Sequence, residues 1–249
     1  MKKEDNHLTQ YELPEEIQRK DHSFLHISVR DLVEFVLRSG DIDDRTAKGS
    51  TLKAMQEGSR IHRKLQKQGS SKYHAEVPVK FVIDCDDYVL GVEGRADGLI
   101  YEGSEITRES SVLVDEIKGV YQDLDDLKEP VEVHLAQAKC YAYIIAEQNH
   151  LVAVDVQITY CNLDTEEVRR FCDTYTYDHL HQWFYDLVQK YRRWSDFSYY
   201  FRITRQNSIS ALNFPFDFRT GQKELVQNVY LSIHRNKLLF VQAPTGTGK

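Results

Sequence analysis

The apolar and polar positions of this chain follow two periods, which together predict a mixed α/β fold. Apolar residues at helical spacing, strengthened by Ser28 as a candidate N-cap, predict a first helix. The helical segments lie over residues 28–39, 51–69, 131–148 and 177–197. Strand-like runs lie over residues 74–83, 88–101, 111–119 and 151–161. The predicted order is therefore α, α, β, β, β, α, β, α, which is typical of a mixed sheet flanked by helices.

Three segments are predicted along the chain. Residues 1–22 are a polar lead-in without an apolar core, so they do not resemble a secretory signal. Residues 23–205 hold the α/β domain, and residues 206–249 are a linker followed by the beginning of a second domain. In that last segment a helix is expected first, and the run "KLLFVQA" at 237–243 predicts a strand that leads into the final residues.

Composition narrows the class of protein. Hydrophobic residues make up 41% and charged residues 29%, as in a globular chain, and no apolar run approaches the roughly 18 residues of a membrane span. Four cysteines without a CxxC pair favour a reduced, cytoplasmic protein with neither a zinc site nor an iron–sulfur cluster. A formal charge of −7 argues against general polyanion binding, so any contact with nucleic acid must be local and metal-assisted.

The strand that contains "VLVDEIKG" carries charges in an otherwise apolar run. Charges inside a strand cost several kcal/mol, roughly, unless they are paired, solvated or bound to a metal. Because side chains alternate, Glu116 and Lys118 share one face, whereas Asp115 lies on the other. We expect Asp115 to have a structural role, for instance as the partner of a basic side chain, unless a β-bulge changes the alternation.

A second acid, Asp97, stands in the preceding strand within "GRADGLI". Gly94 and Gly98 flank it and would permit a close approach of the backbone. If the two strands pair, Asp97 and Glu116 can converge on one divalent cation with oxygen ligands, as Mg²⁺ prefers. Such a site supports phosphodiester hydrolysis, with the lysine beside the reacting group.

This pattern resembles the PD-(D/E)XK nuclease superfamily, in which an acid on one strand precedes a (D/E)-X-K element on the next. Two further elements resemble its RecB-like exonuclease branch: a helical G-x-x-x-H element upstream and a Q-x-x-x-Y element downstream. The matching residues are Asp97; Glu116, Ile117 and Lys118; Gly58 and His62; and Gln137 and Tyr141. Ala96 departs from the strict Pro–Asp pair.

The resemblance implies a restriction-endonuclease-like fold with core order αβββαβ and a DNA nuclease, with exonuclease activity favoured, in DNA repair or processing. It implies that Asp97, Glu116 and His62 hold Mg²⁺ or Mn²⁺ and that Lys118 activates water. Gln137 and Tyr141 would position the DNA strand, which could be single-stranded or a duplex end. No membrane partner is expected.

The end of the chain resembles the beginning of a superfamily 2 helicase of the DinG/XPD type. "APTGTGK" has the form of a Walker A loop, and Gln222 lies in a stretch that resembles the glutamine motif. The resemblance implies that Gln222, Gly246, Gly248 and Lys249 bind ATP in a longer parent protein, with the helicase as partner in cis. This segment alone is not expected to hydrolyse ATP.

Several alternatives remain open at this stage. The α/β domain could be a catalytically silent nuclease fold that binds DNA for the helicase, or a scaffold for the missing ATPase. Glu76 either borders the active-site mouth or is a solvated edge residue. In the aromatic helix, Lys190, Arg192 and Arg193 belong either to a single-strand binding surface or to a solvated face opposite core aromatics.

Overall fold

A computed structural model describes residues 23–39, 48–213 and 216–242, without the side chains of Ser23 and residues 48–55. The chain divides into two compact units, Met1–Tyr200 and Phe201–Lys249, and each is considered by itself. The predicted lead-in over 1–22 lies outside the described residues, as do Gly246, Gly248 and Lys249 of the Walker A resemblance.

The first unit contains six strands and four helices among its described residues, the last helix continuing past Tyr200. The strands are β1 Ser23–Ser28, β2 Tyr73–Asp84, β3 Tyr88–Ile100, β4 Leu113–Val120, β5 Ala153–Asn162 and β6 Val168–Thr176. The helices are α1 Val29–Val36, α2 Lys48–Gln68, α3 Glu132–Asn149 and α4 Tyr177–Ser210. As expected, Ser28 caps α1, since its hydroxyl accepts a hydrogen bond from the Asp31 N–H at 2.9 Å.

The strands form one mixed sheet in the order β1-β3-β4-β5-β6, with β2 also paired to β3. β1 pairs with β3 in parallel and β4 with β5 in parallel, whereas the other pairs are antiparallel. The parallel β4–β5 pair requires a crossover, and α3 supplies it. The prediction of a mixed sheet flanked by helices is confirmed.

Two strands and the C-terminal part of one helix differ from the prediction. β1 and β6 were not predicted, because "SFLHIS" is short and "VRRFCDTYT" exposes most of its side chains as an edge strand. α4 runs to Ser210 rather than 197, through residues 198–210, which are mostly exposed. The strands β1 and β6 form because they pair with neighbouring strands, and the end of α4 continues a helix that has already begun. In each case the neighbouring element decides the structure more than the local sequence pattern does.

α3 packs at the centre of the molecule. Its residues from Ala136 to Ala146 are all buried, so the helix has no solvent face over this stretch. Tyr143 stacks on Phe184 of α4 with ring centroids 4.4 Å apart, and Phe81 of β2 meets Tyr143 edge-on at 5.4 Å. Among the described helices, none combines the length and apolarity required to cross a membrane.

Besides the end of α4, the described part of the second unit contains the helix α5 Gln222–His234, which agrees with the expected helix. The strand predicted over 237–243 is wrong for its described part, because residues 237–242 have no regular structure. Leu238 and Phe240 are exposed, and no described strand lies beside them. A strand without a neighbour leaves its backbone groups unpaired, so an apolar run alone does not form one.

The sheet forks along one edge of β3. β2 pairs with β3 along one edge from Val89 to Ile100. The other edge is shared, since β1 pairs with residues 88–93 and β4 with residues 98–100. Residues 94–97 of β3 therefore face a gap between β1 and β4, in which no described strand supplies a partner. Asp97 lies in this gap.

Side chains of β3 also change faces next to this fork. A Cβ on Gly94 would come 2.8 Å from the Tyr141 ring, so Gly94 faces α3. A Cβ on Gly98 would come 2.1 Å from the ring of Tyr73. Tyr73 donates to Asp115 on the face of β4 that points away from α3. Residues four apart in a regular strand share a face, so the alternation reverses between Gly94 and Gly98.

The reversal coincides with one unusual backbone conformation. Glu76 of β2 has φ 57°, in the left-handed region that side chains other than glycine rarely adopt. It stands opposite Asp97, and the β2–β3 ladder skips this pair while continuing on both sides. The break turns both strands over and lets Asp97 share a face with Glu116.

Candidate active site

Asp97 spans the fork with its side chain. The Ile117 N–H of β4 donates to Asp97 Oδ2 at 2.8 Å, which replaces the backbone hydrogen bond that a continuous ladder would make there. The regular β3–β4 pairs end at Gly98 and Asp115, so the two strands separate at this position. One carboxylate oxygen thus fixes the strands to each other, and the other oxygen is directed toward α2.

Glu116 and Lys118 lie on the face of β4 that α3 covers. Lys118 Nζ is 2.7 Å from Glu116 Oε1, and the same ammonium donates to Gln137 Oε1 at 3.0 Å. The Glu116 side chain is almost fully buried, whereas 22% of the Lys118 side chain remains exposed. The lysine therefore connects a buried acid to the outside of the site, as the alternation of β4 predicts.

The second carboxylate oxygen of Glu116 has no hydrogen-bond partner among the atoms that the structure describes. Burial, followed by the nearby Asp97 carboxylate, raises the pKa of Glu116 to about 7, although Lys118 and His62 oppose the shift. Buried acids are ordinarily satisfied, and this oxygen, which has no partner among the described atoms, could ligate a cation or accept a hydrogen bond from a substrate.

His62 reaches the site from α2. Its Nδ1 lies 3.4 Å from Asp97 Oδ1. Burial acts to lower the pKa of His62, but the hydrogen bond and charge of Asp97, aided by Glu116, outweigh burial and raise it. The imidazole therefore pairs with the acid whose other oxygen holds the strands together.

Two kinds of contact hold α2 in place beside His62. Ile61 is fully buried against the end of β5 and the turn that follows it, together with Cys161 and Leu163. On the flanking turns, Arg60 donates to Glu166 at 2.7 Å, and Lys64 pairs with the other oxygen of Glu166. The apolar contact orients the helix and the ion pairs limit its rotation.

Gln137 and Tyr141 stand one turn apart on α3 and extend the network from Lys118. Gln137 Nε2 donates to the Tyr141 hydroxyl at 3.2 Å. Burial first, and then the charge of Glu116, raise the pKa of Tyr141, so its hydroxyl keeps its proton. The absence of a side chain on Gly94 makes room for this ring against β3.

The structure thus brings together all six residues that the sequence singled out in the α/β domain, in two contacting sets. Asp97 with His62 forms one set, and Glu116, Lys118, Gln137 and Tyr141 form the other. The charges of the two sets act on each other at Glu116. Within residues 23–39, 48–213 and 216–242, no group of three or more His, Cys, Asp or Glu side chains is arranged around a single metal position.

Asp115 lies on the opposite face, but the expected basic partner is wrong. Its carboxylate accepts hydrogen bonds from three neutral groups of the sheet. The donors are Thr159 Oγ1 at 2.6 Å, Gln157 Nε2 at 3.0 Å and the Tyr73 hydroxyl at 3.2 Å. Three donors can satisfy a buried carboxylate without a cation, and hydroxyls fit the narrow space between paired strands.

Gln66 and Glu76 were not identified as a unit from the sequence. Gln66 Nε2 donates both to Glu76 Oε1 at 2.9 Å and to the backbone carbonyl of Asp97 at 3.0 Å. Arg95 also pairs with Glu76 at 3.4 Å. Glu76 therefore borders the site and is not simply a solvated residue of an edge strand. The signal available in the sequence was spacing, since Gln66 stands four residues after His62 on the same helix face.

The aromatic helix α4 has features of both interpretations that the sequence left open, a buried aromatic core and an exposed basic surface. Phe184, Leu187 and Val188 of α4 are core residues, and Arg192 pairs with Asp86 at 2.9 Å. Lys190, Arg193 and Trp194, in contrast, are exposed. In the second unit, Gln222 starts α5, and its Oε1 accepts a hydrogen bond from the Arg219 N–H at 2.7 Å.

Comparison with known proteins shows remote structural likenesses. No family model matches the chain, and no curated protein does. The solved structure of SSO0001 is similar with a TM-score of 0.42 and 19% identity, over 70% of this chain and 81% of that one. An alkaline exonuclease, LHK-Exo, from Laribacter hongkongensis is similar with a TM-score of 0.38 and 12% identity, over 75% and 95%. Likenesses this weak carry no weight for function, which must be inferred from the site.

Proposed function

We propose that the first unit is a PD-(D/E)XK-type nuclease, which hydrolyses phosphodiester bonds of DNA with Mg²⁺ or Mn²⁺ and acts as an exonuclease. The observation that carries the proposal is Glu116: a buried acid with one orphaned oxygen, held beside Lys118 and electrostatically coupled to Asp97 at a fork in the sheet. A residue placed only for stability would have both oxygens satisfied.

The residues present fit a hard divalent cation. Glu116 Oε2 lacks a partner among the described atoms, and the repulsion between Glu116 and Asp97 would be relieved by a positive charge. Carboxylate oxygens with one imidazole suit Mg²⁺ or Mn²⁺. Asp97, Glu116 and His62 would hold the ion, which when bound polarises the phosphate and makes water more acidic.

The side chains of the chain itself would do the remaining work. An ammonium has three N–H donors, and Lys118 directs two toward Glu116 and Gln137. The third is then free to orient an attacking water or to stabilise charge that develops on the phosphate. Because Gln137 donates to the oxygen of Tyr141, the Tyr141 hydroxyl proton can be donated to a DNA phosphate.

The test is cleavage of end-labelled single-stranded and duplex DNA in Mg²⁺, Mn²⁺ or EDTA. We expect cleavage only with metal, and a loss of at least about 100-fold in rate for Lys118→Ala, typical of removing one charge-stabilising donor. Lys72→Ala, an exposed lysine paired with Glu102, is the matched control and should cut normally. Equal rates for wild type and Lys118→Ala would reject the mechanism.

One observation favours a second candidate, a catalytically silent DNA-binding module for an attached helicase. In the described part of the chain, no three candidate ligands already surround one metal position. Tight DNA binding without cleavage in any metal would support this candidate. A scaffold without any site is separated by calorimetric titration with Mn²⁺, because its response should not depend on Asp97→Asn.

We also propose that residues 206–249 begin a helicase domain that binds ATP in a longer protein. Gln222 lines a groove of about 350 Å³, together with Leu225 and Asn228 of α5 and residues 239–242. That volume is at the lower end of small-molecule sites, roughly 300–1,000 Å³. We expect no ATP turnover from this chain alone, and weaker ATP binding for Gln222→Ala in a chain that includes the rest of the helicase domain.

A further inference from the structure

We propose that one exposed face of α4, together with Phe35 of α1, binds single-stranded DNA next to the active site. The stacking face consists of Phe35, Lys190, Arg193, Trp194 and Phe197. The inference rests on the proposed function, because it identifies the form of DNA that the nuclease would receive. Neither the catalytic residues nor the likeness to other proteins assigns a role to this face.

Helical spacing places the α4 members of the stacking face side by side. Residues 190, 193, 194 and 197 follow the i, i+3, i+4, i+7 pattern of a single helix face. Among the residues that α4 buries, Val188 and Ser195 lie on the other side of the helix, and Leu187 borders the stacking face next to Trp194. Basic and aromatic side chains are therefore interleaved on one surface, rather than divided between a core and a solvated side.

The aromatic members are exposed although they contact one another. Phe35 is 43% exposed, Trp194 49% and Phe197 56%. The rings of Phe35 and Trp194 meet edge-to-face with centroids 5.6 Å apart, and those of Trp194 and Phe197 at 5.7 Å. The exposed part of each ring is the surface that a base could cover. Exposed apolar clusters of this kind mark interaction sites.

The charge of the stacking face favours nucleic acid, rather than another protein, as its binding partner. Lys190 and Arg193 are exposed within the stacking face, and Arg38 is exposed just past the end of α1. A chain with a net charge of −7 has placed cations here beside flat rings. Lysine is depleted in the centres of protein–protein interfaces, whereas cations that contact phosphates and rings that stack on bases are the two components of single-strand surfaces.

The position of α1 connects the stacking face to the active site. Val29 at the start of α1 lies beside the active site, since a Cβ on Gly94 would come 2.8 Å from the Tyr141 ring and 3.3 Å from Val29 Cβ. Phe35 follows six residues later, about 9 Å along the helix axis at roughly 1.5 Å per residue. A strand that leaves the catalytic residues along α1 therefore reaches the aromatic cluster directly.

The experiment uses the two tryptophans, Trp183 and Trp194, as reporters. In EDTA, so that nothing is cleaved, oligo-dT is added to the Trp183→Phe variant, in which Trp194 is the remaining tryptophan. We expect its fluorescence to be quenched as the oligonucleotide binds, with the same midpoint as fluorescence anisotropy of labelled oligo-dT. The complementary Trp194→Phe variant, which keeps Trp183 beside Lys139, should show little quenching.

Affinity variants complete the test. Trp194→Ala should weaken oligo-dT binding about fivefold or more, as expected for loss of one stacked base. Arg193→Gln should reduce the slope of log affinity against log salt by about 0.7. Arg170→Gln, an exposed arginine on β6, is the matched control and should change neither quantity.

The outcomes separate this inference from the nuclease proposal. Anisotropy that reports binding without Trp194 quenching, or equal effects of Arg193→Gln and Arg170→Gln, would overturn the stacking face whether or not DNA is cut. Quenching at Trp194 in a chain that cleaves nothing in Mn²⁺ would support the stacking face and reject the nuclease. Circular dichroism of each variant establishes that the fold is retained.

Discussion

Asp115 and Glu116 are adjacent acids whose surroundings differ because a strand points consecutive side chains in opposite directions. Asp115 accepts three hydrogen bonds from neutral donors, so removing it leaves those donors unpaired. Glu116 keeps an oxygen without a partner among the described atoms and lies near another negative charge. One acid therefore stabilises the folded chain, whereas the other costs stability, which the proposed cation would offset.

Replacing Glu116 with glutamine should stabilise the metal-free protein. The substitution keeps an oxygen that can accept from Lys118 but removes a buried charge, so we expect the free energy of unfolding to rise by about 1–2 kcal/mol. Urea denaturation in EDTA at pH 7.5 measures it. The same variant should lose the increase in melting temperature that Mn²⁺ confers on wild type. A less stable variant in EDTA would show that Glu116 is structural.

Replacing Asp115 with alanine should have the opposite effects. Donors on β2 and β5 lose their acceptor, so we expect a loss of about 2–3 kcal/mol in unfolding free energy. Because Asp115 lies on the face away from the proposed metal ligands, Mn²⁺ should still raise the melting temperature by the wild-type amount. If a folded Asp115→Ala protein showed no rise in melting temperature with Mn²⁺, Asp115 would belong to the metal site.

At the scale of elements, the decisive feature is the break between β2 and β3 at Glu76 and Asp97. Without it, regular alternation would place Asp97, three residues after Gly94, on the face opposite Gly94 and therefore away from α3 and Glu116. The left-handed Glu76 turns the pair of strands over, and Gln66 holds the break by bonding both Glu76 and the Asp97 carbonyl. Local strain of this kind is typical of functional sites.

A pair of substitutions at Glu76 tests the break. Both Glu76→Gly and Glu76→Ala remove the hydrogen bond to Gln66, so they differ mainly in backbone preference. At φ 57° glycine is unstrained, so Glu76→Gly should be more stable than Glu76→Ala by about 1 kcal/mol in urea denaturation.

The control comes from the same chain. At Lys80, a regular position of β2, the order should be reversed, because glycine in an ordinary strand costs about 0.5–1 kcal/mol relative to alanine. Alanine more stable than glycine at both positions would contradict the left-handed conformation of Glu76.

For the whole molecule, His134 is expected to make stability depend on pH. Burial first, and then the charge of Lys118, lower the pKa of His134 to about 4, below its ordinary value of about 6.5. The neutral ring can accept a hydrogen bond from the Tyr160 hydroxyl at 2.9 Å, and that hydroxyl accepts one from the Val131 N–H. The folded chain thus binds this proton less readily than the unfolded chain does.

The sign of the effect follows from linkage. The stability from His134 is fully present above about pH 6.5 and is lost as the pH falls toward 4. We expect the urea midpoint of wild type to fall more steeply over this range than that of His134→Gln. His179→Gln, at an exposed position of α4, should follow wild type. If the urea midpoints of wild type and His134→Gln fell in parallel with pH, His134 would not be the cause of the acid sensitivity.

Particular residues show which features of the site could be predicted from the sequence. The positions of Glu116 and Lys118 on one face and Asp115 on the other followed from the two-residue period of a strand, and the helices with His62 and Gln137 from their apolar spacing. The surroundings of Asp115 did not follow, because Thr159 and Gln157 reach it only through the β4–β5 pairing. The short strand β1 was likewise not predicted from the sequence, since its stability comes from pairing with β3.

By itself the sequence determined the mixed α/β class of the first domain and the placement of Glu116 and Lys118 on one face of a strand, because period and residue type are local properties. His62 and Gln137 were singled out by the resemblance to the nuclease superfamily. Only the tertiary structure decided that β1 and β4 diverge along one edge of β3, that the alternation reverses opposite Glu76, and that the strand expected at 237–242 does not form. These features depend on which backbone groups find partners across the sheet, and such pairing joins residues far apart in the chain.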